Sequence, residues 1–159
     1  MPMVSVRRQD LRVLLFFMII ALGLCLLGET GRPAAASAAL RKPPFELPAQ
    51  WQWAVTAAAG IMAALAAYLV WQTDDLDAAP ALRFWLTGQA AAALWPWIFW
   101  RLAWLAGGFF LLLLQLAVQS LALAGFKYLR RKAYQLFLPS VIWTLYLGYL
   151  NAGYYLLNG

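Results

Sequence analysis

Long apolar intervals broken by short polar runs set the pattern of this chain. VLLFFMIIALGLCLLG at 13–28 is followed by a charge-free stretch from Leu47 to Thr73 and by FWLTGQAAAALWPWIFW at 84–100, between Arg83 and Arg101. Two further uncharged intervals run from Leu102 to Phe126 and from Ala133 to the last residue. A helix needs about 20 apolar residues to cross the hydrocarbon core of a bilayer, and lipid offers no partner to an unpaired backbone N–H or C=O. Intervals of this length therefore predict helices, expected at 11–28, 51–72, 82–100, 102–126 and 133–157 within one transmembrane domain over 1–159. The alternation over about ten residues that marks an outer-membrane barrel is missing. The expected fold is all-α: an integral membrane protein built as a five-transmembrane-helix bundle.

The connections differ in kind. ETGRPAAASAALRKPPFELPAQ, residues 29–50, holds four of the eight prolines and no helical periodicity after Pro43, which predicts a long, shaped loop over one end of the bundle. TDDLDAAPA at 73–81 reads as a short solvated connection. Only Arg101 and its neighbours separate the third and fourth spans, so these two should form an antiparallel hairpin. Counted on alternate sides of the membrane, eight basic residues (Arg7, Arg8, Arg12, Arg83, Lys127, Arg130, Arg131, Lys132) face four (Arg32, Arg41, Lys42, Arg101). That bias predicts a cytoplasmic N-terminus, in a bacterial inner membrane or an organelle membrane. Arginines ahead of the first span and PAAASAA behind it imitate a secretory signal, but the 16-residue apolar core is long for that role and is read as a retained helix.

Composition narrows the chemistry. The 159 residues are 65% hydrophobic and 11% charged, with a mean hydropathy of +0.70, against about 25% charged residues in a soluble domain. The bilayer is therefore an expected partner, and the net charge of +6, spread between spans, implies no nucleic acid. Histidine is absent and Cys25 stands alone, so no zinc cluster, thiol pair or imidazole base can be assembled. All six acids fall outside the expected spans, which leaves no carboxylate at membrane depth for a proton relay. No phosphate-cradling glycine loop or nucleophile triad occurs either. These absences predict a protein that is not an enzyme and has no obligatory cofactor or metal.

What remains is aromatic: nine Trp, seven Tyr and nine Phe. Trp and Tyr favour the headgroup level, and a belt suits Trp51, Trp53, Trp71, Trp85 and Trp104 near span ends. Trp95 and Trp97 lie inside the third span on either side of Pro96, which removes a helix hydrogen bond and invites a kink beside rings that could line a cavity. Phe99 belongs to the same crowd. In the fifth span Pro139, Trp143 and Tyr146 follow one face, and Asn151 sits deep enough to need a partner on another helix. A polar handle among flat rings suits a planar hydrophobic ligand. Core packing explains these rings equally well.

The motifs in their order resemble the TspO/MBR family, the tryptophan-rich sensory proteins that include the mitochondrial translocator protein or peripheral benzodiazepine receptor. The matching pieces are LRKPPF at 40–45 with Pro48 and Trp51 after it, MAALAAYLVW at 62–71, LWPWIFW at 94–100, LPSVIW at 138–143, YLN at 149–151 and LN at 157–158. The resemblance implies a five-helix bundle, usually dimeric, that binds porphyrins, sterols and aromatic drugs under its first loop. By that resemblance Trp95, Trp97, Phe99, Pro139, Trp143, Tyr146 and Asn151 would be ligand-binding, with Trp51 and Trp53 helping to form the roof and a porphyrin, haem or other tetrapyrrole as the bound group. Gly88 and Ala92 form a small-residue pair that would permit close helix contact, but the homodimer rests on the resemblance.

The chain departs from the family pattern at Ala36 and Ser37, at Thr56 and Ala57, at Ala92, at Leu147 and at Leu156. Fewer pocket aromatics argue for binding over light-driven tetrapyrrole breakdown. The expected function is a regulatory or transport-related membrane receptor for a planar hydrophobic ligand. The alternative is a structural or assembly subunit packed against other membrane proteins.

Overall fold

Each helix boundary has a local cause. The computed structural model describes residues 10–33, 35 and 38–159; Arg7, Arg8, Ala36 and Ser37 lie outside them. Helix α1 (Leu11–Thr30) starts where the Asp10 carboxylate accepts the Arg12 N–H at 2.9 Å. Helix α2 (Ala49–Trp71) follows Pro48, whose ring blocks any earlier start. Helix α3 spans Ala78–Pro96, four residues ahead of the expected start, because Pro80 falls in the first turn, where its missing N–H leaves no bond unmade.

The end of α3 is the main difference from the expected spans. A continuous helix to residue 100 gives way after Pro96 to a π-helical turn, Trp97–Arg101, closed by the Leu102 N–H donating to the Trp97 carbonyl at 3.0 Å. Ala103, at φ 51°, completes the reversal, so α4 begins at Leu105 rather than 102 and runs to Leu129. Helix α5 (Arg131–Asn158) is separated from α4 by Arg130 alone, in extended conformation. Residues 127–132, left between the fourth and fifth expected spans, are thus helical except at Arg130.

The helices close into a ring in the order α1, α2, α5, α4, α3 and back to α1. No strand occurs among the described residues. Helices α1, α2 and α4 are long and apolar enough to cross a membrane. The 19 residues of α3 reach about 28 Å at 1.5 Å per residue, close to the hydrocarbon thickness. Leu15, Phe16, Ile19 and Leu26 of α1 point outward, giving the bundle a lipid-facing apolar flank.

Two apolar clusters fill the ring. The lower one, near the start of α1, is packed around Ala63, Ala64, Ala66 and Ala67 of α2, all at 0% exposure, with Phe17 edge-on to Trp85 and Phe126 against Phe137. Alanine brings backbones close enough for ring side chains to fill the remaining space. Below it, Arg130 donates to the Leu69 carbonyl and to Gln72 Oε1, and Gln72 donates to the Tyr68 hydroxyl, closing that end. The upper cluster comprises Trp95, Phe99, Trp100, Leu112 and Tyr154, with Leu40 of the loop tucked against it. Between the clusters lies a cleft.

Ala67→Leu should lower stability in detergent by about 1–3 kcal/mol through overpacking, whereas Ala79→Leu on the exposed first turn of α3 should stay within about 0.5 kcal/mol. Denaturant unfolding followed by helicity measures both.

Candidate functional site

The cleft draws on every helix of the ring. From α1 come Ala21, Cys25 and Glu29, and from α2 Gln52, Thr56 and Gly60. Gln89, Ala92 and Trp95 belong to α3, Gln115 and Gln119 to α4, and Ser140, Trp143, Thr144 and Leu147 to α5. Its lining reaches from Arg32, Gln52 and Trp100 at the loop end down to Gln119 and Ser140 near mid-bundle. The alanine-packed lower cluster lies beyond, so the cleft is blind at that end. The cavity proper is about 80 Å³, room for a handful of waters, and the atom-free space counted to its open mouth is about 830 Å³.

One buried amide positions the α3 wall. Asn151, fully buried, accepts the Trp95 indole N–H at 3.0 Å and donates to the Leu105 carbonyl at 2.8 Å, binding α5 to α3 and α4. Gly108 makes room for it: a Cβ there would stand 2.7 Å from Asn151 Oδ1. Trp95 stacks on Phe99, with centroids 4.9 Å apart, and the π turn swings Trp100 to meet Phe99 and Tyr154 edge-on. On the opposite wall Trp143 donates to Thr56 Oγ1 at 3.0 Å and stacks on Tyr146.

The roof is the segment LRKPPFELP at 40–48, held by α5. Consecutive prolines exclude a helix, and the chain turns at residues 44–45, with Phe45 at φ 61°, leaving carbonyls without helical partners. Tyr149 donates to the Pro44 carbonyl at 2.6 Å, and Tyr146 donates to the Phe45 carbonyl while accepting the Leu47 N–H. Asn158 bonds both the N–H and the carbonyl of Arg41. Pro43 is buried against Gly153, where a Cβ would come within 2.6 Å of its ring. Tyr154 donates to Glu46 Oε1 at 2.7 Å, and Arg32 donates to Gln52 Oε1 with its guanidinium 4.9 Å from the Trp100 ring centroid.

The structure divides the residues singled out from the sequence. Trp95 and Trp143 line the cleft, while Asn151, Tyr146 and Phe99 support it from behind as anchor, roof clamp and ring stack. Pro139, half-buried in α5, is not part of the lining. Trp97 turns to the outside of the π turn, where its indole N–H donates to the Leu27 carbonyl and its ring lies under Arg101. Trp51 and Trp53, at 59% and 46% exposure, face outward from the first turns of α2 rather than roofing the cleft.

Sequence reasoning missed Trp100 and the glutamines: Gln52, Gln89, Gln115 and Gln119 are all buried and all on the wall. The available signal was an amide inside an apolar span, with Gln115 and Gln119 one turn apart. Three of the departures from the family pattern, Thr56, Ala92 and Leu147, also lie on this wall.

A five-helix ring enclosing a blind cleft with three tryptophans on its wall defines a small multi-pass membrane protein. The TspO/MBR family model matches residues 13–156, and the chain belongs to that family, whose membership carries a membrane-bound sensory or binding role. No curated protein sequence matches it.

Two outcomes test the site's construction. Asn151→Leu leaves the Trp95 N–H and the Leu105 carbonyl without their interhelical bonds, so unfolding in detergent should show a loss of about 1–3 kcal/mol for each group left unpaired. The double change Tyr146→Phe, Tyr149→Phe removes three bonds to the roof, each with a net value of about 1 kcal/mol, and should speed alkylation of Cys25 by a small neutral maleimide several-fold.

Proposed function

We propose that this chain is a membrane receptor for planar, largely apolar small molecules of the tetrapyrrole or sterol-like class, held non-covalently in the cleft beneath the 40–48 roof. The observation that carries the reading is the placing of Trp95 and Trp143 on different helices of one blind space, whose wall residue Gln52 also holds the 40–48 loop by donating to the Leu47 carbonyl at 2.7 Å. Burial of flat ring surface at about 25 cal/mol per Å² supplies the affinity, while indole N–H and amide groups orient polar edges. A site of roughly 300–1,000 Å³ suits such ligands. The cleft reaches that size only when its open mouth is included, so a macrocycle enters by lifting the roof.

The proposed role is regulation or handover of the ligand, without a covalent step. A tetrapyrrole would be bound as ligand rather than as a resident cofactor. The eight-to-four bias of basic residues supports a cytoplasmic N-terminus, with the loop end of the cleft toward the opposite face. A homodimer is part of the same proposal by family membership.

Cys25 is the chain's single thiol and lines the cleft, so it reports occupancy directly. In detergent, protoporphyrin or haem at ten times its dissociation constant should slow maleimide labelling of Cys25 about tenfold and quench tryptophan emission, the quenching being weaker in Trp143→Ala. Unchanged labelling with tetrapyrroles, sterols and flat aromatics alike, together with stoichiometric co-purification of a larger complex, would overturn the receptor in favour of an assembly subunit.

A further inference from the structure

The inner half of the cleft carries an unused polar capacity that a purely aromatic pocket would lack. Gln115 and Gln119, on one face of α4, are 2% and 1% exposed, and the Oε1 of each is buried with no hydrogen-bond partner among the described residues. Proton counting fixes the orientation of the first. Thr144 has one hydroxyl proton and donates it to the Ser140 carbonyl at 3.0 Å, so toward Gln115 it can only accept. In that arrangement Gln115 presents its NH₂ to Thr144, at 3.1 Å, and its carbonyl oxygen is left unpaired.

Gln119 is held by shape. Its Cγ lies 3.2 Å from where a Cβ on Gly88 would stand, so the glycine on α3 gives it room. Both residues line the cleft, and a small rotation of either amide would offer its unpaired oxygen to a donor at the inner end. Every lining charge sits higher, on Glu29 and Arg32 near the mouth. A carboxylate pushed to the inner end would lose its hydration and meet the Gln115 oxygen, whereas a hydroxyl, lactam or pyrrole N–H would satisfy that acceptor.

We infer that Gln115 and Gln119 form a selectivity floor that binds the neutral hydrogen-bond-donating end of the ligand, inserted first, with any acidic group left at the mouth beside Arg32. This rests on the receptor reading and narrows it to amphiphiles bearing an uncharged O–H or N–H donor at the inner end. Thr144 acts as the positioning residue, because it dictates which face of the Gln115 amide the ligand meets.

Three fluorescent probes of equal ring size separate the possibilities: 1-pyrenemethanol, its methyl ether and 1-pyrenecarboxylate, titrated by energy transfer from tryptophan. The alcohol should bind the intact protein about tenfold more tightly than the ether, the scale of a hydrogen bond to a buried acceptor, and the carboxylate should bind most weakly. In Gln115→Met, Gln119→Met the alcohol's advantage should fall to about twofold or less while the ether binds as well as before. Thr144→Val frees the Gln115 amide to turn its NH₂ toward the ligand. The ether should then gain several-fold, a change that loss of packing would not produce, and this variant serves if the double methionine variant fails to fold.

Equal binding of alcohol and ether to the intact protein, with Cys25 still protected, would overturn the floor and leave the receptor standing. A preference for the alcohol that survives both variants would do the same. Failure of all three probes to bind or to protect Cys25 would remove the receptor and the floor together.

Discussion

The structure turns on a polar group that has nowhere to go but another helix. At membrane depth no water stands ready to solvate an amide, so Asn151 can be buried only if neighbouring helices meet its donor and acceptor. The Trp95 indole and the Leu105 carbonyl do so, and Gly108 gives up its side chain to admit it. Those contacts set the spacing of α3, α4 and α5 at the loop end. Trp95 is thereby held edge-in as a wall, Phe99 stacks behind it, and the upper cluster grows from that pair.

The lower half obeys a different rule. Alanines on α2 let the helices approach until rings from α1, α3, α4 and α5 fill the remaining volume, and the space closes. A channel would need a second opening, and the Arg130–Gln72–Tyr68 chain occupies that end. A tightly closed base thus contrasts with a polar-seamed upper half. Pro96 matters in the same way: the π turn it precedes redirects Trp100 inward and Trp97 outward within four residues.

The helical scaffold was legible because its cause is written in long apolar runs, and the family motifs carried the order of the helices with them. Boundaries shifted where a proline acted by position, as at Pro80, which the first turn tolerates, and Pro96, which ends α3. Trp95 and Trp143 were readable as inward residues. Trp97 and Trp100 could not be told apart without the π turn, since an unbroken helix would have rotated both differently. Trp51 and Trp53 were drawn toward the roof by closeness in sequence, but the first turn of α2 faces them outward. The glutamines were passed over because an isolated amide barely changes the hydropathy of a span; their meaning appears only when three helices bring them to one wall.

Nearly all the clamps on the roof grip main-chain atoms. Phenols and an amide of α5 take the carbonyls of Pro44, Phe45 and Arg41, atoms that every residue possesses. Most side chains along this lid can therefore drift over evolutionary time without unlatching it, provided Pro43 and its glycine seat persist. Relatives could thus differ in what their lids display to the outside while sharing one way of closing.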